Sequence, residues 1–111
     1  VLVIKVQPIG GIERAHQLAN HFGLPIVVSS ALESAVGINY GLKLAASLEN
    51  LDFDCGLGTG SLLSANVGDL PIIDGEIAIS EFEPNLAGLE VSPDRYEWWK
   101  NRVLETAEKI K

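Results

Sequence analysis

Residues 1–11, VLVIKVQPIGG, decide how this chain is organised. The first six are apolar apart from one lysine and mostly β-branched, which predicts a buried strand, and the proline and glycines that follow are typical of a turn into a helix. Residues 24–29 form a second run of the same kind, and residues 53–55 form a shorter third one. Apolar side chains at helical spacing predict helices over residues 11–21 and 35–48. The order strand, helix, strand, helix, strand is typical of a parallel sheet covered by helices.

The alternation of strands and helices ends after residue 60. We expect a short helix over residues 61–67, a hairpin over residues 72–79 and a loop over residues 84–91. The chain therefore divides into residues 1–67, which hold three β/α units, and residues 68–111, a C-terminal extension.

The extension ends in a predicted amphipathic helix. Ser92 is a suitable N-cap, and Pro93 suits the first helical position. The apolar side chains that follow lie on one stripe of this helix: Tyr96, Trp99, Val103, Ala107 and Ile110.

Composition excludes several classes of protein. The chain has 111 residues, 47% of them hydrophobic and 21% charged, which is typical of one globular domain. Its net charge of −7 repels phosphate backbones and anionic lipids, so we expect neither nucleic acid nor membrane partners. The single cysteine, Cys55, cannot form an internal disulfide, which favours a reducing, cytoplasmic location. Because a β/α barrel needs eight strands and about 250 residues, we expect this chain to be part of a larger barrel.

Lys5 is the most informative single residue. Side chains alternate along a strand, so Val1, Val3 and Lys5 share one face and Leu2, Ile4 and Val6 share the other. A lysine at a strand end can reach solvent with its ammonium group. In a barrel, however, Lys5 would lie near the carboxyl end of its strand, where the catalytic groups of β/α barrels are found. The residues alone leave both interpretations open.

Two further segments carry polar groups at strand ends. Ser30, followed by Glu33 three residues later, predicts a capping box for the second helix, whereas Ser29 has no such structural role and could bind a carboxylate. The glycine-rich residues 56–60, GLGTG, are a weak nucleotide signal, because they match neither GxGxxG nor a Walker loop. A turn that presents Gly56 to a small ligand is as good an interpretation as a purely structural turn.

Other residues predict structure rather than chemistry. Cys55 should be a small core residue, and His16 and His21 should face solvent because their spacing does not suit a metal pair. Gly37 and Gly41 lie on one face of the second helix, which predicts a close approach of another backbone.

Three motifs at the predicted strand ends resemble one family. IKVQPIGG at residues 4–11, PIVVSSALES at residues 25–34 and CGLGT at residues 55–59 strongly resemble, in this order, the C-terminal third of the o-succinylbenzoate synthases of the enolase superfamily. The resemblance covers about residues 1–80. It implies an α/β fold in which this chain supplies about strands 6–8 of a modified TIM barrel, followed by a C-terminal tail and helix.

The resemblance also implies a reaction and its residues. Members of this family are dehydratases of menaquinone biosynthesis that convert 2-succinyl-6-hydroxy-2,4-cyclohexadiene-1-carboxylate to o-succinylbenzoate and water. Their proton-abstracting lysine and the three carboxylates that bind Mg²⁺ would lie upstream, so no metal ligand is expected in this chain. Lys5 matches the second active-site lysine, whose charge stabilises the enediolate. Ser29 and the amide near Gly56 would hold substrate carboxylates, with Ser30 as a further substrate-binding candidate.

Two other functions remain open from the sequence. A related N-acylamino acid racemase or dipeptide epimerase would keep Lys5 but use it as an acid and base. A non-catalytic barrel fragment would act instead as an interaction module. For the enzyme, the expected partners are a small carboxylate substrate and the missing N-terminal part of the barrel, in the same or another chain. Without that part, we expect the chain to be inactive.

Overall fold

The protein is a mixed α/β structure, seen in a computed structural model that describes residues 1–81 and 83–110. Phe82 and Lys111, both in the predicted extension, lie outside the described residues. The elements in chain order are β1 (Leu2–Ile4), α1 (Val6–Ile9), α2 (Ile12–Phe22), β2 (Ile26–Val28), α3 (Ala35–Ala46), a 3₁₀ helix (Gly58–Leu62), β3 (Ile72–Ile73), β4 (Glu76–Ile77) and α4 (Pro93–Lys109).

The two N-terminal strands form a parallel pair, as the order of elements predicts. Leu2 lies beside Ile26 and Ile4 beside Val28, so both strands end at the same edge. Helix α2 makes the crossover between them.

The predicted third strand over residues 53–55 is wrong. The segment over residues 50–56 contacts the second strand and its end at two points. Ile26 donates its N–H to the carbonyl of Asn50, and Gly56 forms a single parallel bridge with Ser29. Between these points the backbone bends at Phe53, whose side chain is 51% exposed and is flanked by two aspartates. An outward bend removes these residues from the ladder of hydrogen bonds that defines a strand.

The first strand is shorter than the predicted residues 1–6. Val6–Ile9 forms a single helical turn, which the N–H groups of Gly10 and Gly11 close by donating to the carbonyls of Gln7 and Val6. Gly10, at φ 102°, has a backbone conformation that side chains with a Cβ rarely adopt. The chain therefore turns directly from β1 into two successive helices.

Alternation along β1 decides which face is buried. Ile4 is 1% exposed and Val3 is 58% exposed, so neighbouring side chains point to opposite faces as predicted. The buried face packs against α2 and α3 in a core of Ile4, Val6, Ala15, Ala19, Ile26, Val28, Ile38, Leu42, Leu44 and Leu57.

Helix α3 starts later than a capping box at Ser30 requires. Its N-cap is Ser34, whose side chain makes no capping hydrogen bond. The N–H of Ala35 instead donates to Oδ1 of Asn66 at 2.8 Å. Asn66 also accepts from the N–H of Val67 at 2.9 Å, and a side chain that competes in this way for backbone groups disfavours a helix. The predicted helix over residues 61–67 is accordingly replaced by the earlier 3₁₀ helix.

The remaining elements agree with the sequence. Asp74 and Gly75 both have positive φ, 52° and 86°, which is typical of the tight turn that joins β3 to β4. Ser92 caps α4 by accepting a hydrogen bond from the N–H of Arg95 at 3.4 Å. Within the described part of the chain no side chain of α4 is buried, so its apolar stripe remains exposed.

The close approach predicted at Gly37 and Gly41 is made by side chains rather than by another backbone. A Cβ on Gly37 would lie 2.4 Å from Cβ of Glu33, and one on Gly41 would lie 2.7 Å from Cδ2 of Leu57. The end of the Leu57 side chain can move to relieve such a clash, whereas Cβ of Glu33 is fixed to the backbone.

We expect Gly37→Ala to lower the free energy of unfolding by about 1–3 kcal/mol, because the clash with Glu33 outweighs the gain in helix propensity of about 1 kcal/mol. Urea unfolding followed by circular dichroism measures the change. Gly60→Ala is the control, since its Cβ would lie 3.6 Å from the nearest side chain. A Gly37→Ala protein as stable as the parent would contradict this packing.

Candidate active site at the carboxyl ends of the parallel strands

Lys5 follows β1 directly and turns its side chain towards the end of β2. It is half-buried, and its ammonium group donates to Oγ of Ser29 at 3.1 Å and to the carbonyl oxygen of Ser30. An ammonium has three N–H donors, and the third has no partner among the residues that the structure describes. The group therefore keeps one N–H donor for a ligand.

Ser29 directly follows β2, as Lys5 directly follows β1. Its N–H donates to the carbonyl of Ile4 at 2.8 Å, which continues the pairing of the two strands. Its hydroxyl oxygen accepts from Lys5, while the distance of 3.5 Å from this oxygen to the Ser30 carbonyl is at the limit of a hydrogen bond. The hydroxyl proton of Ser29 can therefore turn towards a ligand.

Ser30 is 6% exposed, and its hydroxyl is fully engaged inside the protein. It accepts from the N–H of Leu32 at 2.8 Å and donates to Oε2 of Glu33 at 2.5 Å. Oγ1 of Thr59 lies 2.5 Å away and must act as the donor, because the single hydroxyl proton of Ser30 goes to the Glu33 carboxylate. The backbone carbonyl of Ser30, rather than its side chain, faces the candidate site.

Gly56 contributes space rather than a donor. Its N–H donates to the carbonyl of Val28 at 2.9 Å, and its carbonyl accepts from the N–H of Ser30 at 2.9 Å. A Cβ at this position would lie 3.2 Å from Oγ of Ser29. The absence of a side chain here keeps the Ser29 hydroxyl accessible.

Glu33 has a more specific role than the capping box that the sequence suggests. Its carboxylate accepts from the hydroxyl of Ser30 and, at 2.7 Å, from the N–H of Ala31. Burial alone would raise the pKa of this carboxyl group, but the hydrogen bonds from Ser30, Ala31 and its own N–H, together with the charge of Lys5, lower it below its usual value. Glu33 is therefore ionised near neutral pH.

Sequence reasoning missed Thr59 and Asn66. Thr59 is a hydroxyl residue among the glycines of residues 56–60, just after a predicted strand end. This pattern is a signal by which the sequence could identify it as a site residue. Nothing in the sequence near Asn66 marks it as the partner of Ala35, because the two residues are 31 positions apart.

The remaining candidates lie away from this cluster. Cys55 is half-buried against the core. His21 is exposed as predicted, but His16 is half-buried, and its Nε2 lies 2.8 Å from Oγ of Ser47 at the end of α3. Across residues 1–81 and 83–110, no three His, Cys, Asp or Glu side chains come together as a metal site. A cavity of about 290 Å³ lies between α3, the 3₁₀ helix and the hairpin, but neither Lys5 nor Ser29 lines it.

These features define an α/β structure that carries a polar site at the carboxyl edge of its parallel strands. This chain is similar along 93% of its length to the C-terminal part of proteins named o-succinylbenzoate synthase. Those of Mycobacterium tuberculosis and Mycobacterium bovis are 44% identical to it over 107 residues, and that of Mycobacterium marinum is 43% identical.

The comparison confirms the family resemblance seen in the sequence and extends it. An alignment of 107 residues continues well beyond residue 80, where the resemblance seen in the sequence ends. The chain spans about a third of the length of these relatives. No family model matches it. None of the helices in the described residues is both long and apolar enough to cross a membrane.

We expect Glu33→Gln to weaken the dependence of stability on acid pH. Because the folded pKa of Glu33 lies below its unfolded value near 4.5, its stabilising effect is complete above that value and is lost as pH falls through the folded pKa. Urea unfolding between about pH 7 and pH 3 should therefore give a shallower loss of stability in the variant.

Glu49→Gln, which removes an exposed carboxylate, is the control for this measurement. Equal pH slopes for Glu33→Gln and the parent protein would contradict the assigned role of Glu33.

Proposed function

We propose that this chain is the C-terminal part of an o-succinylbenzoate synthase, which converts 2-succinyl-6-hydroxy-2,4-cyclohexadiene-1-carboxylate to o-succinylbenzoate and water in menaquinone biosynthesis. The observation that carries the proposal is 44% identity to enzymes of that name along nearly the whole chain. The contact of Lys5 with Ser29, at the edge where two parallel strands end, supports it.

In this proposal β1, β2 and the segment around Gly56 are about strands 6–8 of a modified TIM barrel. The exposed face of β1, which carries Val3 at 58% exposure, would then turn to the barrel interior. The remaining strands would be supplied by the N-terminal part of the protein. In the family that the chain resembles, carboxylates of those strands bind Mg²⁺, so the N-terminal part would also supply the metal ligands.

Lys5 would stabilise negative charge on the substrate. Removal of a proton next to a carboxylate produces an enediolate, and a fixed ammonium group nearby lowers the energy of that anion. The donor of Lys5 that has no partner among residues 1–81 and 83–110 would point to this charge. The upstream lysine would remove the proton, and the hydroxyl group would leave the adjacent carbon and take up a proton to form water.

Ser29 would bind a carboxylate of the substrate. Its hydroxyl oxygen accepts a hydrogen bond from Lys5, and Gly56 has no side chain to cover it. A hydroxyl donor beside an ammonium group is a favourable site for an anion. Ser30 would support this site through its backbone. We propose a cytoplasmic enzyme, a location that the single cysteine favours. Its substrate would be a small carboxylate.

We expect Lys5→Ala in the full-length protein to lower kcat for dehydration about 10²–10³-fold, the range typical of lost electrostatic stabilisation. A steady-state assay of o-succinylbenzoate formation measures the loss. Lys43→Ala is the matched control, because that lysine forms an ion pair on the surface with Glu81 at 2.9 Å. Full activity of the Lys5→Ala protein would contradict the proposed role of Lys5, whereas a full-length parent protein without dehydration activity would favour a non-catalytic module.

The same preparations separate the synthase from a racemase. Lys5→Arg preserves the positive charge but holds its proton at every accessible pH. A synthase that needs only the charge should keep a measurable part of its dehydration rate. Racemisation of N-acylamino acids by the parent protein without dehydration, abolished by Lys5→Arg, would instead identify a racemase.

We expect Ser29→Ala to raise KM about 10-fold with a smaller change in kcat, because one charge-assisted hydrogen bond to the substrate carboxylate contributes about 1.5 kcal/mol. Initial-rate kinetics of the full-length protein separate the two constants. Ser64→Ala, at an exposed serine, should leave both unchanged. An unaltered KM in Ser29→Ala would remove Ser29 from the binding site.

A further inference from the structure

We propose that Glu33 and Thr59 are positioning residues for Lys5 and that both act through Ser30. This inference rests on the proposed catalytic role of Lys5. Neither residue touches Lys5 directly, but both hold the Ser30 hydroxyl, and the carbonyl of Ser30 accepts a hydrogen bond from the Lys5 ammonium group.

The Ser30 hydroxyl has no remaining freedom to rotate. Its one proton goes to Glu33, and its oxygen accepts from Thr59 and from the N–H of Leu32. A hydroxyl can make one donated and two accepted hydrogen bonds, so its full capacity is used. This saturation fixes the side chain of Ser30 and with it the orientation of the adjacent carbonyl group.

The turn after Ser30 adds a second constraint. Leu32 has φ 71°, a left-handed conformation that is unfavourable for a leucine. The hydrogen bond from its N–H to Ser30 and the bond from the N–H of Ala31 to Glu33 hold the chain in this shape. Backbone held in an uncommon conformation by several side-chain contacts is typical of functional sites.

Ser30 lies between Glu33 and Lys5, so the carboxylate and the ammonium group form no direct ion pair. The described residues contain ion pairs at Lys43 with Glu81 and at Lys100 with Glu97, but none within 4.0 Å between Lys5 and Glu33. A direct pair would neutralise the ammonium group and occupy its donors. Glu33 can thus help to orient Lys5 and leave its third N–H for the substrate.

Thr59→Val tests the inference in the full-length enzyme, because it removes the hydroxyl and nearly preserves the shape of the side chain. We expect kcat to fall about 10-fold, with KM within about twofold of the parent, since the substrate contacts of Ser29 remain. Thr59→Ser restores the hydroxyl and should recover most of the rate. Glu33→Gln should lower kcat to a similar extent, and Glu49→Gln is its matched control.

A spectroscopic measurement follows Lys5 without turnover. The ¹⁵N resonance of its ammonium group is identified by its disappearance in Lys5→Ala. We expect exchange of the ammonium protons with water to be about fivefold or more faster in Thr59→Val than in the parent, because the Ser30 carbonyl that accepts from Lys5 is then held less rigidly. Thr59→Ser should restore the slower exchange.

The outcomes distinguish the two proposals. A parent enzyme without dehydration activity would reject the proposed function, and the exchange rates would still decide whether Thr59 orients Lys5. An active parent with unchanged kcat and unchanged proton exchange in Thr59→Val would overturn the inference. A loss of kcat that Thr59→Ser does not recover, with unchanged exchange, would also overturn it.

Discussion

The parallel ladder at one edge of the sheet is the constraint on which the rest of the structure depends. The N–H of Ser29 donates to Ile4, that of Gly56 donates to Val28, and that of Ser30 donates to Gly56. These three bonds join residues that are 25 or more positions apart in the chain and bring the carboxyl ends of their segments to one place. Because the strands are parallel and short, every polar group that follows them emerges on the same edge. The proximity of Lys5 to Ser29 follows from this ladder.

Above the ladder, the site is organised in two levels. Lys5 and Ser29 face outward with a donor each that a ligand can use. Behind them, Glu33 and Thr59 hold the Ser30 hydroxyl, which has no capacity left for a ligand. Charged groups that are fixed in advance stabilise a developing anion more effectively than mobile ones, because little reorganisation is needed during the reaction. Glu33, Thr59 and Ser30 therefore contribute rigidity, and Lys5 and Ser29 contribute charge and donors.

The sequence predicts the parts of this structure that depend on local pattern. The β-branched runs predict β1 and β2, Asp74 and Gly75 predict the hairpin, and Ser92 with Pro93 predicts the start of α4. Its failures involve contacts between distant residues. Nothing local indicates that Asn66 takes the N–H of Ala35, or that Phe53 bends away from the sheet. The capping motif at Ser30 was recognised but misassigned, because the same two side chains can cap a helix or lock a turn, and only the position of Thr59 distinguishes these cases.

The acceptor that Ser30 offers to Lys5 is a backbone carbonyl, and no side chain encodes it. A survey of single substitutions can delete the hydroxyl groups and the carboxylate around this oxygen but cannot delete the oxygen itself. Variation at position 30 in related sequences would therefore be a poor guide to whether the contact persists. At this site the path of the main chain carries the contact with Lys5, and the surrounding side chains act by holding that path.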